Sequence, residues 1–104
     1  MKQFELGTLL TTQDVHDKMT RDSQFAEFVY TCVTRHEACD WGDLCDRDKN
    51  QNDEAVRTGD DRIFSAYEPA DHPDWRIWII TEWDRSATTV LFPRRILTFN
   101  QERK

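Results

Sequence analysis

The sequence predicts an α+β fold, a small antiparallel sheet of about four strands with two to three helices packed on one face. One long segment repeats apolar residues at helical spacing, and later segments carry the alternating or β-branched pattern of strands. The elements follow in the order of one strand, three helices and three strands. A chain of 104 residues is the length of one domain. We assign the domain to residues 1–93 and treat residues 94–104 as a basic C-terminal tail.

The first two elements are short. Alternation of Phe4, Leu6 and Thr8 predicts a strand over residues 4–9. Threonine and aspartate oxygens follow, and such oxygens cap helix N-termini. They predict a short helix over residues 15–19.

The second helix is the best supported element. Asp22 or Ser23 can cap its N-terminus, and we expect it to end near residues 38–40. Its apolar stripe recurs at i, i+3, i+4, i+7, i+8 and i+11, so its members share one helix face. They are Phe25, Phe28, Val29, Cys32, Val33 and His36.

The third helix is unusually polar. Asp43 is expected to cap it, and the helix should run to about Arg57. Asn52 lies on the same side as Ala55, so we expect Asn52 to face inward. Gly59 stands where a C-terminal glycine commonly ends a helix.

Three strands are predicted after this helix, over residues 62–67, 75–82 and 87–92. The second of them, rich in aromatic and β-branched residues, is joined to the third by a hairpin at residues 83–86. Pro93 ends the sheet. In the tail, the apolar residues 96–99 are expected to dock on the domain or to add an edge strand.

The chain is acidic, and its charge is unevenly placed. There are 14 basic and 20 acidic side chains, a formal net charge of −6. Residues 1–93 hold 10 bases and 19 acids, a charge of −9, and the tail carries +3. Residues 37–61 alone hold nine acids and three bases, a charge of −6. We therefore expect no direct nucleic-acid binding, which depends on neutralising phosphates, and favour a basic partner.

Other classes are excluded by missing features. No apolar run approaches the roughly 18 residues of a membrane span, and the first residues lack the apolar segment of a signal peptide. There are three cysteines, Cys32, Cys39 and Cys45, which cannot all pair within the chain. Their spacing matches no zinc site. No phosphate-binding loop or nucleophile elbow occurs. These observations predict a cytoplasmic protein with reduced thiols, no cofactor and no metal.

Two polar clusters are candidates for chemistry. In the first, His36, Asp40 and Asp43 would offer an imidazole and two carboxylates to a divalent metal or for acid–base work. The structural alternative makes His36 a hydrogen-bonded core residue and Asp43 a helix cap.

The second cluster lies at the predicted hairpin. Glu82, Asp84 and Arg85 would form a binding point there. The structural alternative has Asp84 bonded to its own turn backbone and Arg85 paired with Glu82 across the turn.

The same clusters carry a resemblance to a known family, over about residues 4–93. The stretches involved include Phe4-Glu5-Leu6-Gly7-Thr8, Asp40-Trp41-Gly42-Asp43-Leu44, Arg62-Ile63-Phe64-Ser65-Ala66-Tyr67, Ile77-Trp78-Ile79-Ile80-Thr81-Glu82 and Thr88-Thr89-Val90-Leu91-Phe92-Pro93. They resemble small "plasmid-related" proteins of bacterial plasmids, integrated elements and phages. The resemblance implies an accessory protein of a mobile genetic element. The chain departs from the family pattern at Trp83, where a small residue is usual, and at Arg94-Arg95, which replace an acidic, aromatic ending.

Acidity, the absence of catalytic motifs and this resemblance together predict a protein that acts by binding. The expected partner is a host protein or nucleoprotein complex, and the expected action is inhibition of a nucleic-acid-processing defence enzyme, as in anti-CRISPR or antirestriction proteins. The predicted contact residues are Asp40, Trp41, Asp43, Glu82, Trp83, Asp84 and Arg85. A homodimer is a further hypothesis.

An enzyme is the alternative. It would be small and metal-dependent, would act on a nucleotide or nucleic acid, and would combine His36 with the clustered carboxylates of both segments. This requires the end of the second helix and the hairpin to converge in space.

Overall fold

A computed structural model of the chain describes residues 2–93. The predictions for the tail, residues 94–104, lie outside the described residues. Three helices and four strands are present in the described part. They are β1 (Thr8–Thr11), α1 (Gln13–Arg21), α2 (Ser23–Glu37), α3 (Asp46–Thr58), β2 (Ile63–Tyr67), β3 (Ile77–Thr81) and β4 (Ala87–Leu91). Within residues 2–93, no helix is long and apolar enough to cross a bilayer.

The four strands form one sheet in the order β1-β4-β3-β2. β2, β3 and β4 are antiparallel, as the sequence predicts, but β1 runs parallel to β4. The sheet is therefore mixed, and the α+β prediction is confirmed. The direction of β1 follows from Gly7, which has φ +65° and lies so close to the backbone of Arg85 and Ser86 that a Cβ would clash with it. This contact places the start of β1 beside the start of β4.

The first strand also begins later than predicted, at Thr8 instead of Phe4. The reason is that Phe4 and Leu6 pack as partly buried side chains against the two hydrophobic clusters of the molecule. The 75–82 prediction is likewise shortened, because Trp75 belongs to a 3-10 turn and β3 begins at Ile77.

α2 forms the main core, as its apolar stripe predicts. Asp22 caps it, with its Oδ1 accepting from the amides of Gln24 (3.0 Å) and Phe25 (3.2 Å). The stripe is buried except for Phe28, which is partly buried. It packs against the sheet face that presents Ile77, Ile79 and Val90.

α3 lies along the free edge of β2. Asn52 is buried and bonds the edge backbone twice: its Nδ2 donates to the Phe64 carbonyl at 2.5 Å, and its Oδ1 accepts from the Phe64 amide at 3.1 Å. The prediction that Asn52 faces inward is confirmed. Gly59 ends the helix in the left-handed region, with φ +77°.

The prediction that Asp43 caps α3 is wrong, because Cys45 occupies the N-cap position. Asp43 instead continues the coverage of the β2 edge. Its amide donates to the Ala66 carbonyl at 2.7 Å, and its Oδ2 accepts from the Glu68 amide at 2.8 Å. Gly42 forms a parallel bridge with Ala66 at the same place.

Candidate functional site

His36 lies at the centre of a chain of buried hydrogen bonds. Its ring nitrogens lie 2.6 Å from Ser65 Oγ and 2.9 Å from Thr81 Oγ1. Thr81 Oγ1 is 2.7 Å from Thr88 Oγ1, and Thr88 donates to the Leu6 carbonyl at 2.7 Å. This series of hydrogen bonds thus connects α2, β2, β3, β4 and the N-terminal segment.

This environment fixes the chemistry of His36. The residue is 0% exposed, and burial lowers the pKa of its imidazole to about 3. Both nitrogens are already bonded to neutral hydroxyls, so neither is offered to a metal or a substrate. Within residues 2–93, moreover, no three His, Cys, Asp or Glu side chains converge in a way that would hold a metal ion. The geometry matches the core-histidine interpretation.

Asp40 is exposed but held by local contacts. Its carboxylate oxygens accept from Arg35 Nε at 2.7 Å and Nη2 at 3.2 Å, and this hydrogen bond keeps its pKa below the usual value. The Arg35 guanidinium lies 4.8 Å from the centre of the Tyr67 ring. The Tyr67 hydroxyl in turn donates to the Asp40 carbonyl at 2.7 Å. Asp40 therefore orders the turn after α2.

The predicted contact surface requires a correction at Trp41. Its side chain is only 4% exposed and packs with Ala55 and Ile63 in a second, smaller core. The indole N–H donates to Asp53 Oδ1 at 2.9 Å. The ring is thus a core element and is not available to a partner.

The hairpin between β3 and β4 presents Trp83 to solvent. This indole is 62% exposed, the highest exposure among the large hydrophobic side chains described. The turn is closed by the Arg85 amide, which donates to the Glu82 carbonyl at 2.9 Å. Asp84 Oδ1 accepts from the Ser86 amide at 3.0 Å, and its hydrogen bonds with Ser86 lower the pKa of Asp84. The interpretation of Asp84 as a turn-setting residue fits this geometry.

Arg85 does not pair with the Glu82 carboxylate as the structural alternative expected. Its guanidinium donates to four backbone carbonyls instead, which belong to Ala55 (2.9 Å), Asp61 (2.6 Å), Trp83 (2.9 Å) and Glu82 (3.2 Å). The backbone of Arg85 is left-handed, with φ +62°. The side chain therefore ties the hairpin to the C-terminal end of α3, and only part of it faces outward.

The two predicted clusters touch only through the buried bond between His36 and Thr81, and the turn that carries Asp40 and Asp43 lies farther along β2. Gly42 pairs with Ala66, whereas Thr81, which precedes the hairpin, pairs with Ile63. Three residues of strand separate these positions, about 10 Å. The end of α2 and the strand before the hairpin therefore meet at His36, while among residues 2–93 no three metal-ligating side chains come together there.

A different acidic group comes together at the hairpin. Because Arg85 bonds the carbonyls of both Asp61 and Trp83, the residues after α3 lie beside the turn. We call this group the hairpin patch, and it consists of Asp60, Asp61, Glu82, Trp83 and Asp84. The place of Asp60 and Asp61 beside the hairpin has no sequence signature, since the link is made by carbonyl groups that every residue has.

The three cysteines are unpaired. Burial raises the pKa of the Cys32 thiol to about 12, while Cys45 is exposed.

In comparisons with protein-family models, with curated proteins and with solved structures, no match to this chain is found.

Proposed function

We propose that this chain is an accessory protein of a bacterial mobile genetic element, located in the host cytoplasm, that acts by binding a basic surface of a host protein or nucleoprotein complex. The expected target is a nucleic-acid-processing defence enzyme, which the chain would inhibit. The observation that carries the proposal is the hairpin patch, in which Trp83 is 62% exposed between Glu82 and Asp84. The backbone of the acidic Asp60–Asp61 segment is held to the same turn by Arg85.

The composition of the patch suits such contact. Tryptophan is among the residues that contribute most to binding energy at interfaces, and its two side-chain torsions keep the entropy cost of ordering it low. The carboxylates of Asp60, Asp61, Glu82 and Asp84 would meet lysines or arginines that otherwise hold phosphates. Arg85 ties the hairpin to the C-terminal end of α3, because its guanidinium donates to the Asp61 and Ala55 carbonyls. A fixed patch favours affinity because less ordering is needed on binding.

The other predicted contact residues, Asp40, Trp41 and Asp43, have a smaller part in the proposed interface. Asp40 and Asp43 are exposed, but their carboxylates already bond Arg35 and the Glu68 amide. They lie about 10 Å from the hairpin along β2. We propose them as a second, outer contact region, and Trp41 is left out.

The test is a pull-down from nuclease-treated host lysate with the full chain, followed by mass spectrometry. We expect a specific protein whose capture decreases as salt is raised, because exposed charges are screened. The variant Glu82→Lys/Trp83→Ala should lose this protein. It alters the patch without touching the Asp84 and Arg85 side chains that set the turn.

A charge-matched control lies on α2, outside the hairpin patch. Glu27→Lys reverses one exposed carboxylate and changes the net charge by the same amount as Glu82→Lys. This variant should retain the captured protein. Equal capture by both variants, or capture that disappears once nucleic acid is digested, would contradict the proposal.

A further inference from the structure

Among the described residues, the β2 edge of the sheet is covered and the β1 edge is open. On the β2 edge, the backbone groups of Phe64 and Ala66 are bonded by Asn52 and by the Trp41–Asp43 segment. On the β1 edge, the described residues place no partner strand or capping side chain. An uncovered edge presents donors and acceptors to another chain, and proteins commonly block it with charge, proline or a bulge.

The geometry of β1 determines which groups face outward. The Thr8 and Thr12 amides donate to the Ser86 and Val90 carbonyls on the β4 side. Backbone direction alternates along a strand, so the amides and carbonyls of Leu9 and Thr11 point away from β4. Thr8, Leu9 and Leu10 are exposed, with the two leucines at 43% and 46%.

The lack of charge around β1 favours a second copy of this chain as the partner. Residues 6–13 contain no charged side chain, although a third of the whole chain is charged. Residues 6–21 hold two acids and two bases, so the −9 of residues 1–93 lies elsewhere. Two copies of an acidic chain therefore repel least across this edge, whereas a basic partner would find little attraction there.

We propose that the β1 edge is the site where a second copy of this chain adds its own β1 in antiparallel orientation, making a two-fold dimer with a continuous eight-stranded sheet. The register centred on Leu10 is the two-fold one that uses both outward-facing residues of β1, Leu9 and Thr11. Leu9 would exchange hydrogen bonds with the Thr11 backbone of the second copy, and Leu10 would oppose Leu10 at the axis. The pairing supplies four backbone hydrogen bonds and covers both exposed leucines.

Neighbouring side chains extend the contact. A cavity of about 190 Å³ lies between β1 and the helices, and Leu9 and Tyr30 are among its lining residues. Tyr30 is 60% exposed. A strand added beside Leu9 would cover this ring as well. The site is separate from the hairpin patch, so this dimer and the proposed function stand or fall independently.

The first test is the mass of the full chain by light scattering at about 100 μM. We expect twice the chain mass of 12.4 kDa. Leu10→Lys and Leu10→Glu should each shift the mass to that of one chain, since like charges directly opposed destabilise a strand pair. Mixing the two variants should restore the dimer mass, because Lys would then face Glu.

The mixing result is specific to a residue that opposes itself on a two-fold axis. Leu10 is half exposed, and far-ultraviolet circular dichroism of each variant checks that the fold is retained. Trp83→Lys, which places a charge at a more exposed position on the hairpin, should remain dimeric. A monomeric wild type, as expected if another segment or a foreign peptide occupies the edge, would overturn the proposal. So would a dimeric Leu10→Lys, a mixture that stays monomeric, or a dimer that Trp83→Lys dissociates.

Discussion

Asn52 bonds the backbone of Phe64 in both directions, and in doing so takes the place of a neighbouring strand. Its side-chain amide supplies one donor and one acceptor, at 2.5 and 3.1 Å, to the two groups that β2 turns away from β3. A buried asparagine on a helix thus closes the edge of a sheet. Replacing it should leave those backbone groups without partners, which costs more than the bonds themselves contribute.

We therefore expect Asn52→Ala to lower the free energy of unfolding by about 2 kcal/mol, measured by urea denaturation. Asn50→Ala is the matched control, because Asn50 lies on the exposed side of the same helix. Its effect should remain within about 0.5 kcal/mol. Alanine is the better helix former, so helix propensity would not produce a loss at either position. A loss at Asn50 as large as that at Asn52 would contradict the assignment of the effect to the Phe64 bonds.

Acid should destabilise the fold through His36. Its pKa is about 3 in the folded state against 6.5 for an ordinary histidine. Below pH 6.5 the unfolded chain binds a proton that the folded chain does not, so stability falls as the pH falls toward 3. The expected loss is about 1.4 kcal/mol per pH unit, in urea titrations between pH 6.5 and 4.5.

The control for this prediction is His36→Gln, which cannot take up the proton. It should be less stable at pH 7, since one of two buried bonds to Ser65 and Thr81 is lost or lengthened. Its stability should nevertheless change less steeply over the same pH range. An unaltered slope would assign the acid sensitivity to other groups.

Arg85 combines a costly backbone with useful side-chain bonds. Its φ of +62° is unfavourable for any residue with a Cβ, by about 1 kcal/mol. Arg85→Ala keeps that cost and loses the four carbonyl contacts, whereas Arg85→Gly loses the contacts and relieves the backbone. We expect both to be less stable than the wild type in urea, with glycine about 1 kcal/mol better than alanine. An alanine variant as stable as the glycine variant would contradict this account.

Local patterns predicted much of the fold. The α2 stripe, its Asp22 cap, the Gly59 stop and the three C-terminal strands all follow from residues close together in sequence. The direction of β1 could not be predicted in this way, because it depends on a close approach between Gly7 and the hairpin backbone.

The candidate site was harder to predict for the same reason. Trp41 lies near acidic residues in the sequence, a composition typical of an exposed contact. In the structure its ring is buried, and its N–H donates to Asp53, which lies twelve positions later. Arg85 resembles a surface charge, yet its acceptors are carbonyl groups with no sequence signature. The exposure of Trp83 agrees with the predicted surface because a hairpin tip has few neighbours.

The parallel pairing of β1 with β4 also constrains the order of folding. Thr8 lies opposite Ala87, 79 positions later, whereas β2, β3 and β4 join through much shorter connections. Closing so long a loop is slow and entropically costly, so β1 should join the sheet after the meander has formed. A growing chain on the ribosome cannot complete this step until Leu91 has emerged. The neutral leucine-bearing strand therefore becomes a sheet edge only at the end of folding, after β2, β3 and β4 have paired.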